Sequence, residues 1–167
     1  MDVDVMEADA FLADSVVVAE NKLYAQGGGW DTIYTAGFPF KQPRIGIAIF
    51  LRIPWTATNH MHTFAIKILD QDGKPFALGD SPPGLELPEG KIRELTGQFN
   101  VGRPPLLNAG ESQIVPIAVN LDGLEFMGPN NYSVILTVDG DDMRRLPMRV
   151  RTLAQVPSPA RPSPAGA

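Results

Sequence analysis

The sequence predicts an all-β protein, a single antiparallel β-sandwich of immunoglobulin-like type, with a jelly roll as the alternative architecture. Three observations lead to this fold class. Apolar residues recur at every second position wherever the chain shows a pattern, 16 glycines and 16 prolines disfavour long helices, and turn residues separate the apolar runs at short intervals. A chain of 167 residues, 44% apolar and 20% charged, has the size and composition of one globular domain.

The clearest alternation lies in 44-RIGIAIFLRI-53, which places five large aliphatic residues on one face of a strand. The segment 63-TFAIKIL-69 repeats this pattern. It leads into 70-DQDGK-74, whose Asp-Gly pair is typical of tight hairpin turns. We therefore expect a return strand through Pro75 and Phe76.

The other strand-like segments are bounded by Gly, Pro, Asn or Asp. They are 8–19, 22–30, 94–101, 114–121, 132–138 and 146–153. The total is roughly eight to ten strands, the number that a two-sheet sandwich needs. Because proline cannot donate a hydrogen bond to a strand ladder, Pro116 and Pro147 are expected only at edges, bulges or strand starts, and we take their strands as candidate edges.

The predicted domain spans residues 1–153. Residues 154–167 are rich in Pro, Ala and Ser and have no apolar periodicity, so we expect a disordered tail. Within the domain, 79–90 and 102–112 have the composition of long irregular loops.

Three consecutive glycines precede a tryptophan in 27-GGGW-30. A phosphate-binding glycine loop opens a helix, but strand-forming residues follow here, and the carboxylate of Asp31 would repel a phosphate. The alternative is structural, since glycines in a strand permit a bulge and let a large side chain from the next layer lie against bare backbone. We prefer this interpretation, with Trp30 as a core anchor.

The net charge of −5 argues against nucleic acid as a partner, because non-specific binding requires many cations. Acidic residues dominate the first 20 positions and four arginines occur between 144 and 151, which predicts that the first and last strands lie close together. The chain has no cysteine, and its amino terminus lacks the features of a secretory signal. The longest apolar run, 45–55, is too short to span a bilayer. We therefore expect a cytoplasmic protein without membrane contact.

Several residues are candidates for metal binding or catalysis. His60 and His62 would share a face of an extended segment and could bind zinc or copper, but two ligands do not make a site, and hydrogen bonding to backbone is the commoner role. The string 79-GDSPPG-84 resembles hydrolase signatures but no histidine follows Ser81. The acidic turns 70–73 and 139–142 are explained as hairpin tips. The sequence predicts no cofactor and no metal.

A set of landmarks resembles a known family: 27-GGGW-30, 54-PW-55 followed by Asn59 and His62, 70-DQDG-73, 99-FNVGRPP-105 and Tyr132 before 138-VDG-140, with 146-LPMRV-150 at the end. The chain is similar, over about residues 8–152, to small all-β proteins found mainly in high-GC Gram-positive bacteria and grouped as a domain of unknown function. The resemblance implies the fold and no activity. Tyr132 after a Gly/Asn turn is also similar to the penultimate strand of immunoglobulin-like sandwiches.

We expect a non-enzymatic interaction module that binds a protein or assembles with itself, because a sandwich presents its loops together at one end. The candidate binding residues are Trp55, Asn59, His60, His62 and Arg103, and Trp and Arg are enriched at interfaces. Trp55 could equally be a plug that closes the sandwich, and Arg103 could pair with a carboxylate. A small-ligand or carbohydrate-binding sandwich is the second hypothesis, and a metal-assisted hydrolase using His60 and His62 is the third.

Overall fold

The computed structural model describes residues 4–155, in which the regular structure is β-strand apart from three short 3-10 turns at Trp55–Ala57, Pro88–Gly90 and Leu153–Gln155. The strands are β1 (Glu7–Ala13), β2 (Ser15–Ala19), β3 (Lys22–Gln26), β4 (Thr32–Thr35), β5 (Phe40–Ile53), β6 (Met61–Leu69), β7 (Gly79–Asp80), β8 (Lys91–Ile92), β9 (Leu95–Asn100), β10 (Gln113–Phe126), β11 (Asn130–Val138) and β12 (Asp141–Thr152). The all-β prediction is confirmed. No helix within this range is long and apolar enough to cross a membrane. Most of the predicted tail, 156–167, lies outside the described residues.

Two sheets enclose the main core. One has the strand order β1-β5-β10 and the other has the order β4-β12-β11-β6-β9. All neighbouring strands are antiparallel except β4 and β12, which run parallel. Two short ladders, β2-β3 and β7-β8, lie outside these sheets.

The core follows from the alternation that the sequence shows. On β5, Ile45, Ile47, Ile49, Leu51 and Ile53 are all buried. They pack in one cluster with the inward residues of the opposite sheet, which include Ile66, Ile68, Val134, Leu136, Met148 and Val150. Because β5 is the central strand of its sheet and has 14 residues, its alternating face forms much of that side of the core.

The hairpin β2-β3 forms a third layer on the outer face of the three-stranded sheet. Val16 is 2% exposed and packs with Ala13 and Ala48 in a second, smaller cluster. The side-chain amide of Asn120 on β10 binds both backbone groups of Val16, accepting from its N–H at 3.1 Å and donating to its carbonyl at 2.8 Å. The hairpin can approach the sheet closely because Gly46 lacks a side chain. A Cβ at this position would lie only 3.1 Å from the backbone carbonyl carbon of Ser15.

The structure corrects the predicted return strand after the turn at 70–74. The turn at 70–74 forms, with the Asp70 carboxylate accepting from the N–H groups of Asp72 and Lys74 at 2.9 Å. The return strand does not form beyond a single bridge between Leu69 and Pro75. Phe76 still donates its N–H to the carbonyl of Ile68 at 2.7 Å and packs against the core, but Leu78 donates to Ile92 at 2.7 Å, so the chain leaves β6 at this point.

The proline predictions have different outcomes. Pro116 lies on β10, an edge of its sheet as expected. Pro147 lies on β12 between β4 and β11, so the prediction that this is an edge strand is wrong. Proline is tolerated there because the pairing of β12 with β4 begins only at Arg149, which leaves that side of the strand open at Pro147.

The glycine run is a bend between β3 and β4 rather than a bulge within a strand. Bare backbone does accommodate a large side chain, because a Cβ at Gly28 would lie 2.8 Å from the ring of Phe11. Trp30 is only partly buried against the core, and its indole N–H donates to Asp14 at 3.1 Å. The first and last strands do lie close together, with 3.8 Å between Asp9 and Arg144.

Candidate functional site

The loop that joins β5 to β6 holds most of the sequence-predicted residues. It opens with the turn Trp55–Ala57 and continues to Thr58, which is 1% exposed and donates its hydroxyl to the Trp55 carbonyl at 2.6 Å. Asn59 follows with a positive φ of 60°, a conformation that asparagine tolerates better than most residues. Its N–H donates to the carbonyl of Val101 at 2.7 Å, so the loop is tied to the segment after β9.

Arg103, in the segment after β9, also holds this loop in place. Its guanidinium carbon lies 4.1 Å from the centroid of the Trp55 ring. Its Nε donates to the hydroxyl of Thr58 at 2.6 Å and its Nη2 donates to the Trp55 carbonyl at 3.1 Å. The structure therefore brings Trp55, Asn59 and Arg103 together, and Arg103 stacks on an indole rather than pairing with a carboxylate.

His62 connects the same loop to the turn between β11 and β12. Its Nδ1 lies 2.7 Å from the Asp139 carboxylate and its Nε2 lies 2.7 Å from the carbonyl of Ala57. The ring also stacks on Phe99 with 5.2 Å between centroids. Since both partners are acceptors only, both ring nitrogens must donate, which is the hydrogen-bonding pattern of imidazolium.

The pKa values of His62 and Asp139 shift in opposite directions. Burial opposes the charged form of His62, but hydrogen bonds to Ala57 and Asp139 outweigh it and raise the pKa of His62 above its usual value. The hydrogen bond from His62, together with the backbone N–H of Thr63, lowers the pKa of Asp139. A raised histidine pKa stabilises the fold at low pH, and that contribution is lost as the pH rises through the folded-state value.

We expect the free energy of unfolding to fall as the pH rises above about 6.5, the usual histidine value, through the folded-state pKa of His62. The depressed pKa of Asp139 adds a second loss at acid pH, below about 3.9. Urea unfolding across this range measures both effects. His62→Gln should remove the upper dependence and His60→Gln should keep it, because His60 is exposed. An unchanged upper dependence in His62→Gln would contradict the assignment.

The contact between Trp55 and Arg103 predicts a measurable coupling. In a double-mutant cycle with Trp55→Leu and Arg103→Met, we expect a coupling of about 0.5–1 kcal/mol in the free energy of unfolding, which is typical of an exposed cation–π pair. Circular dichroism in urea supplies the four stabilities. A cycle that pairs Arg103→Met with Tyr34→Leu is the control and should give no coupling. A coupling of zero between Trp55 and Arg103 would show that the stack does not form.

The structure does not assemble the catalytic constellations that the sequence suggested. Both nitrogens of His62 are occupied by protein groups, and His60 lies exposed. Residues 4–155 contain no cluster of three or more His, Cys, Asp or Glu side chains placed to hold a metal ion. The hydroxyl of Ser81 donates to the carbonyl of Leu85 within its own turn rather than to a base.

Sequence reasoning missed a groove that runs from Arg103 along two strand edges. One lobe, of about 470 Å³, lies at the ends of β9 and β10 and is lined by Asn21, Asn100–Pro104 and Gln113–Pro116. A second lobe of about 470 Å³ shares Val115 and Pro116 with the first and is otherwise lined by Val16–Val18, Phe64, Gln98, Phe99, Ile117, Ala118 and Asn120. We call the two lobes the edge groove. Among the sequence-predicted site residues, only Arg103 lines it.

The edge groove exposes apolar surface. Ile114 is 57% exposed in the first lobe and Val17 is 55% exposed in the second. Isolated exposed apolar residues need no explanation, but apolar residues that line a concave surface between two strand edges are typical of interaction sites. The signal in the sequence was weak, since the alternation of 114–121 marks a strand without showing which side of it stays open.

The comparison with protein families agrees with the landmarks in the sequence. A family of unknown function, DUF6941, matches residues 8–151. The protein belongs to the DUF6941 family. The match covers the strands β2 to β11 and almost all of β1 and β12, so the edge groove lies within the family region. No curated protein matches the chain.

Proposed function

We propose that this DUF6941 protein is a non-enzymatic protein-binding module whose binding surface is the edge groove. The observation that carries the proposal is the exposure of Ile114 and Val17, each more than half exposed, in a groove between two strand edges that polar side chains also line. Exposed apolar surface with a polar rim marks protein interaction sites. Arg103, which stacks on Trp55 and donates to Thr58, lines one end of the groove.

The side chains considered for catalysis support a binding role over an enzymatic one. His62 is committed to two internal hydrogen bonds and Ser81 to a turn, so neither presents a free nucleophile or base. A metal-assisted hydrolase would need His62 to give up a partner.

We also propose that the scaffold is an immunoglobulin-like sandwich. The order β4-β12-β11-β6-β9 facing β1-β5-β10, with the first strand of the larger sheet parallel to the last strand of the chain, supports this assignment. Tyr132, 7% exposed near the start of β11 and in contact with Phe126, supports the assignment, because immunoglobulin-like sandwiches have a corner tyrosine near the start of the penultimate strand. The absence of cysteine suits the cytoplasm of a bacterium, in which we place the protein.

The test is affinity purification of the tagged protein from its own host at native expression, with mass spectrometry of the retained proteins at low and moderate salt. We expect one partner in stoichiometric amount that is retained at moderate salt, because contacts with the exposed apolar residues depend little on ionic strength. The tag alone is the control. Recovery of the protein without a stoichiometric partner would contradict the proposed function.

A further inference from the structure

We infer that the edge groove binds one extended segment of a partner protein, which adds to the free edge of β9 as a further strand. Apolar side chains at every second position of this segment would enter the groove, and an aspartate or glutamate would lie at the end nearest Arg103. This inference rests on the proposed function and specifies the partner that the site fits.

The backbone of β9 is the first argument. Within residues 4–155, β9 pairs with β6 on one side and with no strand on the other. Edge strands of natural proteins are usually protected by charge, proline, a bulge or shortness. The other edges of the two main sheets follow this rule: β1 carries Glu7 and Asp9, β10 carries Pro116, and β4 has four residues. The sequence of β9, LTGQFN, has neither charge nor proline, so its free N–H and C=O groups can accept a partner strand.

The lining of the groove is the second argument. Side chains alternate between the two faces of a strand, so every second residue of an added strand would point toward the core. There it would meet Phe64 and Phe99 on one side and Val115 and Ile117 on the other, with Val17 of the hairpin above. A segment with alternating apolar residues matches this lining, because its inward side chains would be buried and its outward ones would stay in water.

The connection between β9 and β10 is the third argument. Residues 101–112 contain no strand, although they join the two strands that border the groove. Constant-type immunoglobulin sheets place a fourth strand in the sheet that β1, β5 and β10 would represent. Within residues 4–155 no strand lies beyond β10 in its sheet, so a strand added to β9 has room in the groove between the two edges.

The charge at one end of the groove is the fourth argument, and it indicates which end of the bound segment carries the acidic residue. Among the residues that the structure describes, Arg103 is the only charged one that lines either lobe. The salt bridges among residues 4–155 do not include it, and its polar contacts are with Thr58 and the Trp55 carbonyl. A cation without a carboxylate at one end of an apolar groove is complementary to an acidic side chain of the bound segment.

The test is selection of a random peptide library, displayed on phage with no free peptide carboxyl terminus, on the immobilised full-length protein. We expect enriched sequences in which apolar residues alternate over five or six positions and an Asp or Glu lies at one end. Selection on Arg103→Gln should lose the acidic preference and selection on Arg103→Lys should retain it. No enrichment, or enrichment without the alternation, would overturn the inference.

Two variants of similar exposure test the position of the site. Ile114→Lys, at a residue 57% exposed in the groove, should weaken binding of the selected peptides by at least about tenfold, because a cation covered by an apolar segment is costly. Tyr34→Lys, at a residue 55% exposed on β4, should bind like the wild type. Circular dichroism verifies that both variants fold. Equal peptide binding by the two variants would overturn the inference. A dimer of the free protein that Ile114→Lys abolishes would also overturn it, because a second copy of the chain would then occupy the groove.

The affinity purification separates this inference from the proposed function. If a stoichiometric partner is retained by Ile114→Lys as well as by the wild type, the protein is a binding module that uses another surface. If no partner is found, the proposed function itself fails.

Discussion

Phe126→Ala is expected to lower the free energy of unfolding by about 3–5 kcal/mol, the usual cost of truncating a buried phenylalanine. Phe126 is fully buried at the end of β10. Its ring stacks on Phe76 with 5.1 Å between centroids and meets Tyr132 edge-on at 5.4 Å. The substitution removes both contacts and leaves a cavity under the segment that carries Phe76. Urea unfolding followed by circular dichroism measures the loss.

The matched control for this substitution is Phe50→Ala. Phe50 lies on β5 opposite Pro116 and is only partly buried on the outer side of its sheet, so we expect a smaller loss of about 1–2 kcal/mol. Similar losses in the two variants would mean that the aromatic cluster of Phe126, Phe76 and Tyr132 does not form part of the core.

Gly46→Val is expected to destabilise the fold by about 1–3 kcal/mol, which is typical of overpacking. The backbone of Ala13 and Ser15 crosses Gly46 so closely that a Cβ would lie 3.1–3.2 Å from its atoms. Valine would therefore push the hairpin β2-β3 away from the sheet. Because Val16–Val18 line the edge groove, the same variant should also bind selected peptides more weakly than the wild type.

Gly79→Val is the control for this prediction. Gly79 also lies in a strand, β7, but a Cβ there would have no neighbour within 4 Å. We expect a change within about 0.5 kcal/mol and unaltered peptide binding. If Gly46→Val were as stable as Gly79→Val, the close contact between the hairpin and the sheet would be wrong.

Much of the fold could be predicted because the largest free-energy term, burial of apolar surface, leaves a period-2 pattern in the sequence. The aliphatic residues of 44–53 identify β5 and its buried face without any further information. The two residues of that strand that predict a third layer are Gly46 and Ala48, whose small size on the outward face lets the hairpin approach. Asn120, polar within an apolar run, is the matching signal on β10.

The candidate site could be predicted only in part. Trp55, Asn59 and Arg103 were identified from their residue types and do lie together, yet their contacts tie the loop in place. The partners of His62 could not be predicted, because Asp139 is 77 residues away and nothing local relates the two. The edge groove was missed for a similar reason, since an open edge depends on which strands pair, and pairing is decided by the whole fold.

Amide hydrogen exchange along β9 in the free protein tests the central claim most directly. In an edge strand, alternate N–H groups bond to the neighbouring strand and the others point outward. The account predicts that exchange within Leu95–Asn100 alternates between slow amides bonded to β6 and fast amides that face the groove, at every protein concentration. Uniform protection of all six amides would contradict it, because the edge of β9 would then be covered already.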